Sequence, residues 1–137
     1  MHVIHISPRR LGINNDHLFC LKHIDMKLSG VVPVTDLARV YALKGRITAV
    51  NTRARLQEAE SRGVVSASGA RDLVAAYDMI QTMRLENQAH LVKAGRKPDN
   101  YLSPGDLPDF ERSHLRDAFV VVRSMQSALG HGKGMLG

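Results

Sequence analysis

Apolar residues recur at helical spacing in the first half of the chain, beginning just after Pro33. Proline suits the first turn of a helix, because its fixed backbone angle fits and its missing N–H would have no partner there. Gly45 is the stop signal of this predicted helix. The apolar positions between the two fall three and four residues apart, on one helix face: Val34, Leu37, Ala38 and Tyr41.

A second, shorter helix is predicted between Asn51 and Gly63. Asn51 or Thr52 can cap its first turn, because the side-chain oxygen of either residue accepts a hydrogen bond from a free backbone N–H. Leu56 and Ala59 are three residues apart and form its inner face. Gly63 then ends the helix.

The two longest helices follow. Ser66 or Ser68 caps the first of them, which is expected to run to about Gly95. Residues 96–106 read RKPDNYLSPGD, a connector rich in turn-forming residues. Pro108 begins the last helix. Its apolar stripe comprises Leu115, Ala118, Phe119, Val122, Met125 and Leu129.

These elements predict an all-α fold of the antiparallel four-helix-bundle type, since the helices are joined by short connectors. Residues 31–130 form the helical domain in this prediction. Residues 1–30 lack a helical period, and residues 18–27 alternate, which favours an extended N-terminal arm or hairpin with a turn at residues 14–16. The glycine-rich residues 131–137 are expected to form a flexible tail.

Composition agrees with helix packing and favours a reducing compartment. Only 4% of the residues are aromatic and 44% are hydrophobic, so the core must consist mainly of aliphatic side chains. The single cysteine, Cys20, permits no internal disulfide. No apolar run approaches the roughly 20 residues that a membrane span needs, and the N-terminus lacks the order of a signal peptide. A cytoplasmic protein without a membrane partner is expected.

Positive charge is concentrated in the first half of the chain. The net charge is +6, and residues 1–66 hold ten Lys and Arg against five Asp and Glu. A basic surface attracts phosphates, nucleic acid or acidic protein surfaces, although a solvated face without a specific partner has the same composition. Nucleic-acid binding ranks last, because aromatic residues are not interleaved with the basic ones and no single helix is strongly basic.

The chain carries none of the common catalytic signatures. Gly132-Lys133 resembles the end of a phosphate-binding loop, but Ser127 stands where that loop needs a glycine. The seven histidines are scattered and the one cysteine has no cysteine partner, so no zinc-ligand spacing is present. No Gly-x-Ser-x-Gly elbow occurs. The sequence therefore predicts neither catalytic residues nor metal ligands.

A polar interruption in the longest helix is the main candidate for a binding site. The apolar stripe of this helix stops after Ile80, and the next two positions of the stripe are Arg84 and Gln88. A charge on an inward face is costly unless it is paired or bound to a ligand. The full stripe comprises Leu73, Tyr77, Ile80, Arg84, Gln88 and Leu91.

Two interpretations of Arg84 follow from its position. It lines a polar cavity that receives a ligand, or it pairs with an internal acid such as Asp36 or Asp117 and otherwise reaches out to the edge of the core. In either case we expect Arg84 and Gln88 to face inward between helices. Arg84 is expected to lie near Asp36 or near the turn at residues 51–55.

Two further polar groups allow a structural and a functional interpretation. Asp36 and Arg39 are three residues apart on one helix face, which is typical of an ordinary surface salt bridge. Asn51 and Thr52 precede Arg55 at a helix start, which is typical of a cap followed by basic surface. A helix N-terminus next to an arginine can also bind an anion.

Several of these motifs, taken in order, resemble the nucleotidyltransferase substrate-binding domain family. Its members are C-terminal helical domains of bacterial proteins similar to PII-uridylyltransferases, which often carry CBS or cyclic-nucleotide-binding domains upstream. The resemblance covers residues 24–129, and one departure is that the family's His-Gln element is Asn87-Gln88 here. The runs that carry it are IDMKLSGVVPVTDLARVYAL, NTRARL, MRLENQ, GRKPDNYLSPGDL and LRDAF.

The resemblance implies substrate-binding roles for the polar positions of these motifs. The family's Asp-x-Lys element ends at Lys27, and its Pro-x-Asn loop ends at Asn100. The Gly-Ser and paired-Asp strand of a nucleotidyltransferase catalytic domain is absent. The implied substrate-binding residues are Lys27, Asp36, Arg39, Asn51, Thr52, Arg55, Arg84, Gln88 and Asn100.

The resemblance implies two alternative functions. In the first, the domain binds the substrate or protein partner of a nucleotidyltransferase, while a catalytic domain on the same parent chain or on a partner chain holds magnesium and a nucleoside triphosphate. The substrate would be a nucleotide or an acidic protein. In the second, the domain is a regulatory interaction module that couples CBS or cyclic-nucleotide-binding domains to the enzyme. A pocket containing Arg84 favours the first, and a flat apolar face, which would also suit a homodimer, favours the second.

The missing catalytic strand leads to a prediction about the isolated chain. We expect no nucleotidyl transfer with any nucleoside triphosphate and magnesium, because the carboxylates that hold the metal in such enzymes have no counterpart here. The measurement is transfer of a labelled nucleotide by the purified chain. Metal-dependent turnover that is abolished by a substitution within residues 1–137 would contradict this expectation.

Overall fold

The computed structural model of the chain describes residues 23–131. This part of the chain is mostly helical and includes one antiparallel sheet of two very short strands. The elements, in chain order, are β1 (Ile24–Asp25), a π-helical turn (Lys27–Val31), α1 (Val32–Gly45), α2 (Thr52–Ser61), α3 (Ala67–Lys93), β2 (Tyr101–Leu102), a 3₁₀ turn (Pro104–Asp106) and α4 (Asp109–His131).

The structure confirms the predicted N-terminal caps of α2 and α3. The side chain of Asn51 accepts a hydrogen bond of 2.8 Å from the backbone N–H of Ala54, at the start of α2. The hydroxyl of Ser66 accepts one of 3.1 Å from the N–H of Gly69, at the start of α3. Each side chain satisfies an N–H that the helix itself leaves free.

The prediction of an extended chain up to residue 30 is wrong for residues 27–30, which lie in the π-helical turn that leads directly into α1. The buried carboxylate of Asp25 accepts hydrogen bonds from the N–H groups of Lys27 and Leu28 and so starts this turn. The apolar residues of this turn have no regular spacing that would predict it. Gly30 in this turn lies close to Ile80 of the longest helix, a contact that periodicity cannot reveal.

The core lies around α3, which packs against α4 and α2 and against the π-helical turn, while α1 packs against α2. Aliphatic side chains dominate it, as the composition predicted, and burial raises the pKa of its one tyrosine, Tyr41. The largest fully buried side chains are Ile24, Met26, Val34, Leu56, Leu73, Ile80, Pro104 and Leu115.

The small sheet joins the start of the described chain to the connector before α4. Ile24 pairs with Leu102, and Asp25 pairs with Tyr101. The N–H of Met26 extends the pairing by donating a 2.7 Å hydrogen bond to the main-chain oxygen of Asn100. The connector, which the sequence predicted as turns, is therefore held against the segment ahead of α1.

Three sequence-based expectations stay predictions. The turn at residues 14–16 and the flexible tail at residues 131–137 fall outside the described residues, apart from residue 131, which ends α4. The antiparallel four-helix-bundle arrangement stays a prediction. Within residues 23–131, no helix has both the length and the apolar character to cross a membrane.

The close approach of Gly30 to α3 leads to a testable prediction. A Cβ added at Gly30 would lie 2.7 Å from the buried Cγ2 of Ile80, whose branched side chain has little freedom to move. We expect Gly30→Ala to lower the free energy of unfolding by about 1–2 kcal/mol, because overpacking outweighs the gain in helix propensity. Urea unfolding at constant slope measures the change.

Gly130 is the matched control for this substitution, since it also lies in a helix, and among residues 23–131 no neighbouring atom lies within 4 Å of an added Cβ. Gly130→Ala should leave the free energy of unfolding unchanged or raise it by up to about 1 kcal/mol. Equal stability of the two variants would show that the contact between Gly30 and Ile80 is not tight.

Candidate functional site

A chain of polar side chains runs along one edge of α3. Gln81 donates a 3.1 Å hydrogen bond to the hydroxyl of Tyr77, and the side-chain oxygen of Gln81 accepts one of 3.1 Å from Nη1 of Arg84. Nε of Arg84 in turn donates a 2.7 Å bond to Oδ1 of Asn100. Tyr77, Gln81 and Arg84 follow one another about one turn apart on α3, and all three are half-buried. Tyr77 and Arg84 are positions of the predicted stripe, whereas Gln81 is not.

Asn100 joins this edge of α3 to the rest of the domain. Its Oδ1 also accepts a 3.2 Å hydrogen bond from Gln88, so two residues of α3 share one acceptor. Its main-chain oxygen accepts the bond from Met26, the residue immediately before Lys27. Asn100 therefore binds Arg84 and Gln88 directly and connects them to the backbone just ahead of Lys27.

The predicted partners of Arg84 are wrong. We expected Arg84 near Asp36 or the turn at residues 51–55, or paired with Asp36 or Asp117, but its partners are two amide oxygens. The physical reason is that the buried positions of α3 differ from the predicted stripe. After Ile80, the next buried residue is Met83 and not Arg84. Arg84 lies one position further round the helix, where the connector crosses it.

Asp36 and Arg39 form the ordinary surface salt bridge that their spacing suggested. The closest charged atoms are 3.9 Å apart, and both side chains are about three-fifths exposed. An exposed pair at this distance contributes little to stability, because solvent screens it. These two residues belong to α1 and are separate from the hydrogen-bonded network around Arg84.

The residues at the start of α2 mainly hold the fold together. Asn51 caps the helix, and Nε of Arg55 donates a 2.8 Å hydrogen bond to the main-chain oxygen of Ala49. The hydroxyl of Thr52 lies 3.5 Å from that of Thr35, at the limit of a hydrogen bond, and links α2 to α1. Arg55 thus already has a main-chain partner beside its helix.

Sequence reasoning missed Asn87, which lies next to Gln88 on α3. Its Nδ2 donates a 2.6 Å hydrogen bond to the main-chain oxygen of Tyr101, so it ties the connector to α3 from a second direction. The sequence did contain a signal for this residue, because Asn87 stands where the family pattern has a histidine. Both side chains offer an N–H donor, so either can serve an acceptor at this place.

A cavity of about 650 Å³ lies beside this network, between the C-terminal half of α3, the connector and the start of α4. Asp99 and Tyr101 line it, whereas the side chain of Asn100 between them points to Arg84. Arg84 and Gln88 are not among its described lining residues. The connector therefore has two faces, one bonded to the Arg84 network and one lining the cavity.

The family comparison decides what kind of domain carries these features. Residues 14–132 match a family model described as "Putative nucleotidyltransferase substrate binding domain". The chain belongs to this family. No curated protein and no solved structure matches it.

The polar motifs of this substrate-binding domain separate into groups. The structure brings Arg84, Gln88 and Asn100 into direct contact, with Lys27 close by along the chain. The remaining motif residues lie elsewhere, in the exposed pair on α1 and at the cap of α2. The predicted binding residues therefore do not form one cluster of direct contacts.

The hydrogen bonds of Arg84 lead to a stability prediction for the domain. Arg84→Met removes two charge-assisted bonds but strands no carboxylate, and Asn100 keeps Gln88 as a partner. We expect the free energy of unfolding to fall by about 1–2 kcal/mol, less than the 3–5 kcal/mol of a broken buried ion pair. Urea unfolding at constant slope provides the measurement.

Arg39→Met is the matched control, since Arg39 is exposed and faces only the carboxylate of Asp36. It should change the free energy of unfolding by no more than about 0.5 kcal/mol. A loss above about 3 kcal/mol for Arg84→Met would instead identify Arg84 as part of a structural ion pair.

Proposed function

We propose that this domain binds an anionic substrate of a nucleotidyltransferase and presents it to a catalytic domain that lies elsewhere. The substrate is a nucleotide phosphate or a carboxylate-rich protein surface. Family membership supports the general role, and the arrangement around Arg84 supports the charge of the ligand. The domain supplies binding and orientation, which account for much of the catalysis of phosphoryl and nucleotidyl transfer.

The observation that carries this proposal is the incomplete pairing of Arg84. A guanidinium has five N–H donors, and two of its nitrogens donate to amide oxygens. No carboxylate within residues 23–131 forms an ion pair with it. Arg84 thus keeps its positive charge and further donors, held in place by the fork of hydrogen bonds that fixes its orientation.

Lys27 adds a second cation near this place. Its side chain is exposed, and its backbone is fixed by Asp25 and by the neighbouring bond from Met26 to Asn100. A phosphate held by two cations on rigid segments needs little reorganisation of the protein. Magnesium and the catalytic carboxylates belong, in this proposal, to the partner catalytic domain, and this chain performs no chemistry itself.

A regulatory interaction module is the second candidate, and one observation favours it. Leu43 and Val50 are 76% and 83% exposed and lie at the end of α1 and in the loop that follows it. Exposed apolar side chains near each other in sequence are a common feature of docking surfaces. Such a surface would couple CBS or cyclic-nucleotide-binding domains to a nucleotidyltransferase.

Ligand titration monitored by amide chemical shifts tests the first candidate. The probes are UTP and a glutamate-rich peptide, which represent the two classes of anionic substrate. We expect one of them to shift the amides of Lys27, Arg84, Gln88 and Asn100. Lys27→Gln should weaken that binding about two- to fivefold, because an exposed ion pair contributes up to about 1 kcal/mol.

Lys44→Gln is the matched control, because Lys44 is an exposed cation at the opposite end of α1, roughly 20 Å from its start. It should leave the affinity unchanged. The proposal is wrong if neither probe shifts these amides, or if Lys44→Gln weakens binding as much as Lys27→Gln does, since binding would then depend on net charge alone.

A further inference from the structure

The cavity beside the connector has a floor and a rim of different character. Its floor includes the buried apolar side chains of Met83, Leu91 and Leu102. Its volume of about 650 Å³ lies within the range of small-molecule sites. Apolar walls with a few polar groups at defined places are the usual composition of such sites.

The rim of the cavity is acidic although the protein as a whole is basic. Four exposed carboxylates line it, from Glu86, Asp99, Asp106 and Glu111, against one guanidinium, that of Arg96. None of the four forms an ion pair within residues 23–131. In a chain of net charge +6, this concavity is therefore a local region of negative potential.

The imidazole of His23 also lines the cavity and is fixed in place. Its Nδ1 lies 2.8 Å from the hydroxyl of Ser103, a second lining residue. Nε2 is buried within the wall and has no hydrogen-bond partner in the part of the chain described. His23 therefore gives the wall a polar group of fixed position.

We propose that this cavity binds a small organic cation, a ligand with an apolar body and a protonated amino group. The body lies on the apolar floor, and the ammonium faces the rim carboxylates. An organic cation fits better than a metal ion, because no group of three His, Cys, Asp or Glu side chains in residues 23–131 is placed to hold one. The site is separate from the proposed anion site at Arg84 and goes beyond that function.

Two ligands of the same shape and opposite charge test this proposal on the whole chain. The probes are phenethylamine and phenylacetate, each at millimolar concentration, monitored by amide chemical shifts. Phenethylamine should shift the amides of Glu86, Asn87 and Tyr101 and the imidazole nitrogen resonances of His23. Phenylacetate should bind at least about fivefold more weakly, because the rim repels it.

Paired substitutions locate the binding. The double variant Glu86→Gln and Glu111→Gln should weaken phenethylamine binding about five- to tenfold, since it removes half of the rim carboxylates. The double variant Glu58→Gln and Glu60→Gln on α2 changes the net charge equally but lies outside the cavity lining, and should leave binding unchanged.

Three outcomes would overturn the proposal. They are the absence of shifts at the cavity amides with phenethylamine, equal binding of phenylacetate, and equal loss of affinity in the two double variants. Each is independent of the anion site, because UTP and the acidic peptide carry the opposite charge and are monitored at other residues. Failure of one proposal therefore leaves the other intact.

Discussion

One side-chain oxygen, Oδ1 of Asn100, accepts hydrogen bonds from two residues of α3, while the main-chain oxygen of the same residue accepts one from Met26. This junction fixes three things at once: the path of the connector, the orientation of Arg84 and the position of the segment ahead of α1. Arg84 is half-buried without a carboxylate partner within the described residues, so the amide oxygen is what makes its position tolerable. The polar side chains Arg84 and Gln88 of α3 are therefore stabilised by a neutral group, the amide oxygen of Asn100.

The connector lies between two polar regions of different charge. On one side Asn100 accepts a hydrogen bond from the guanidinium of Arg84, and on the other Asp99 and Asp106 line the cavity. Backbone pairing with β1 and the bonds from Asn87 and Arg84 hold this thin segment in place between them.

The helices could be predicted because their signals are local. Asn51 and Ser66 cap helices within three residues of themselves, and apolar spacing reports the buried face directly. The partner of Arg84 could not be predicted in this way, since Asn100 lies 16 residues away on an irregular connector. Its position on the helix edge also depends on the buried row of α3, which runs through Ala76, Ile80 and Met83 and leaves Arg84 beside it.

For a similar reason, no local sequence pattern predicted the cavity or the π-helical turn. The lining of the cavity comes from residues as distant as His23 and Glu111, and each is unremarkable in its own segment. Gly30 in the turn lies close to Ile80, a contact between remote parts of the chain. The family motifs include Arg84, Gln88 and Asn100 but carry no information about which of them are in contact.

The bond between His23 and Ser103 joins side chains that are 80 residues apart in the chain. The entropy cost of closing so long a loop grows only slowly with its length, but contacts of this kind slow folding because the intervening elements must first be in place. The cavity wall that His23 provides therefore depends on this long-range contact, and a fragment without residues 23–26 would lack it even if its helices formed normally.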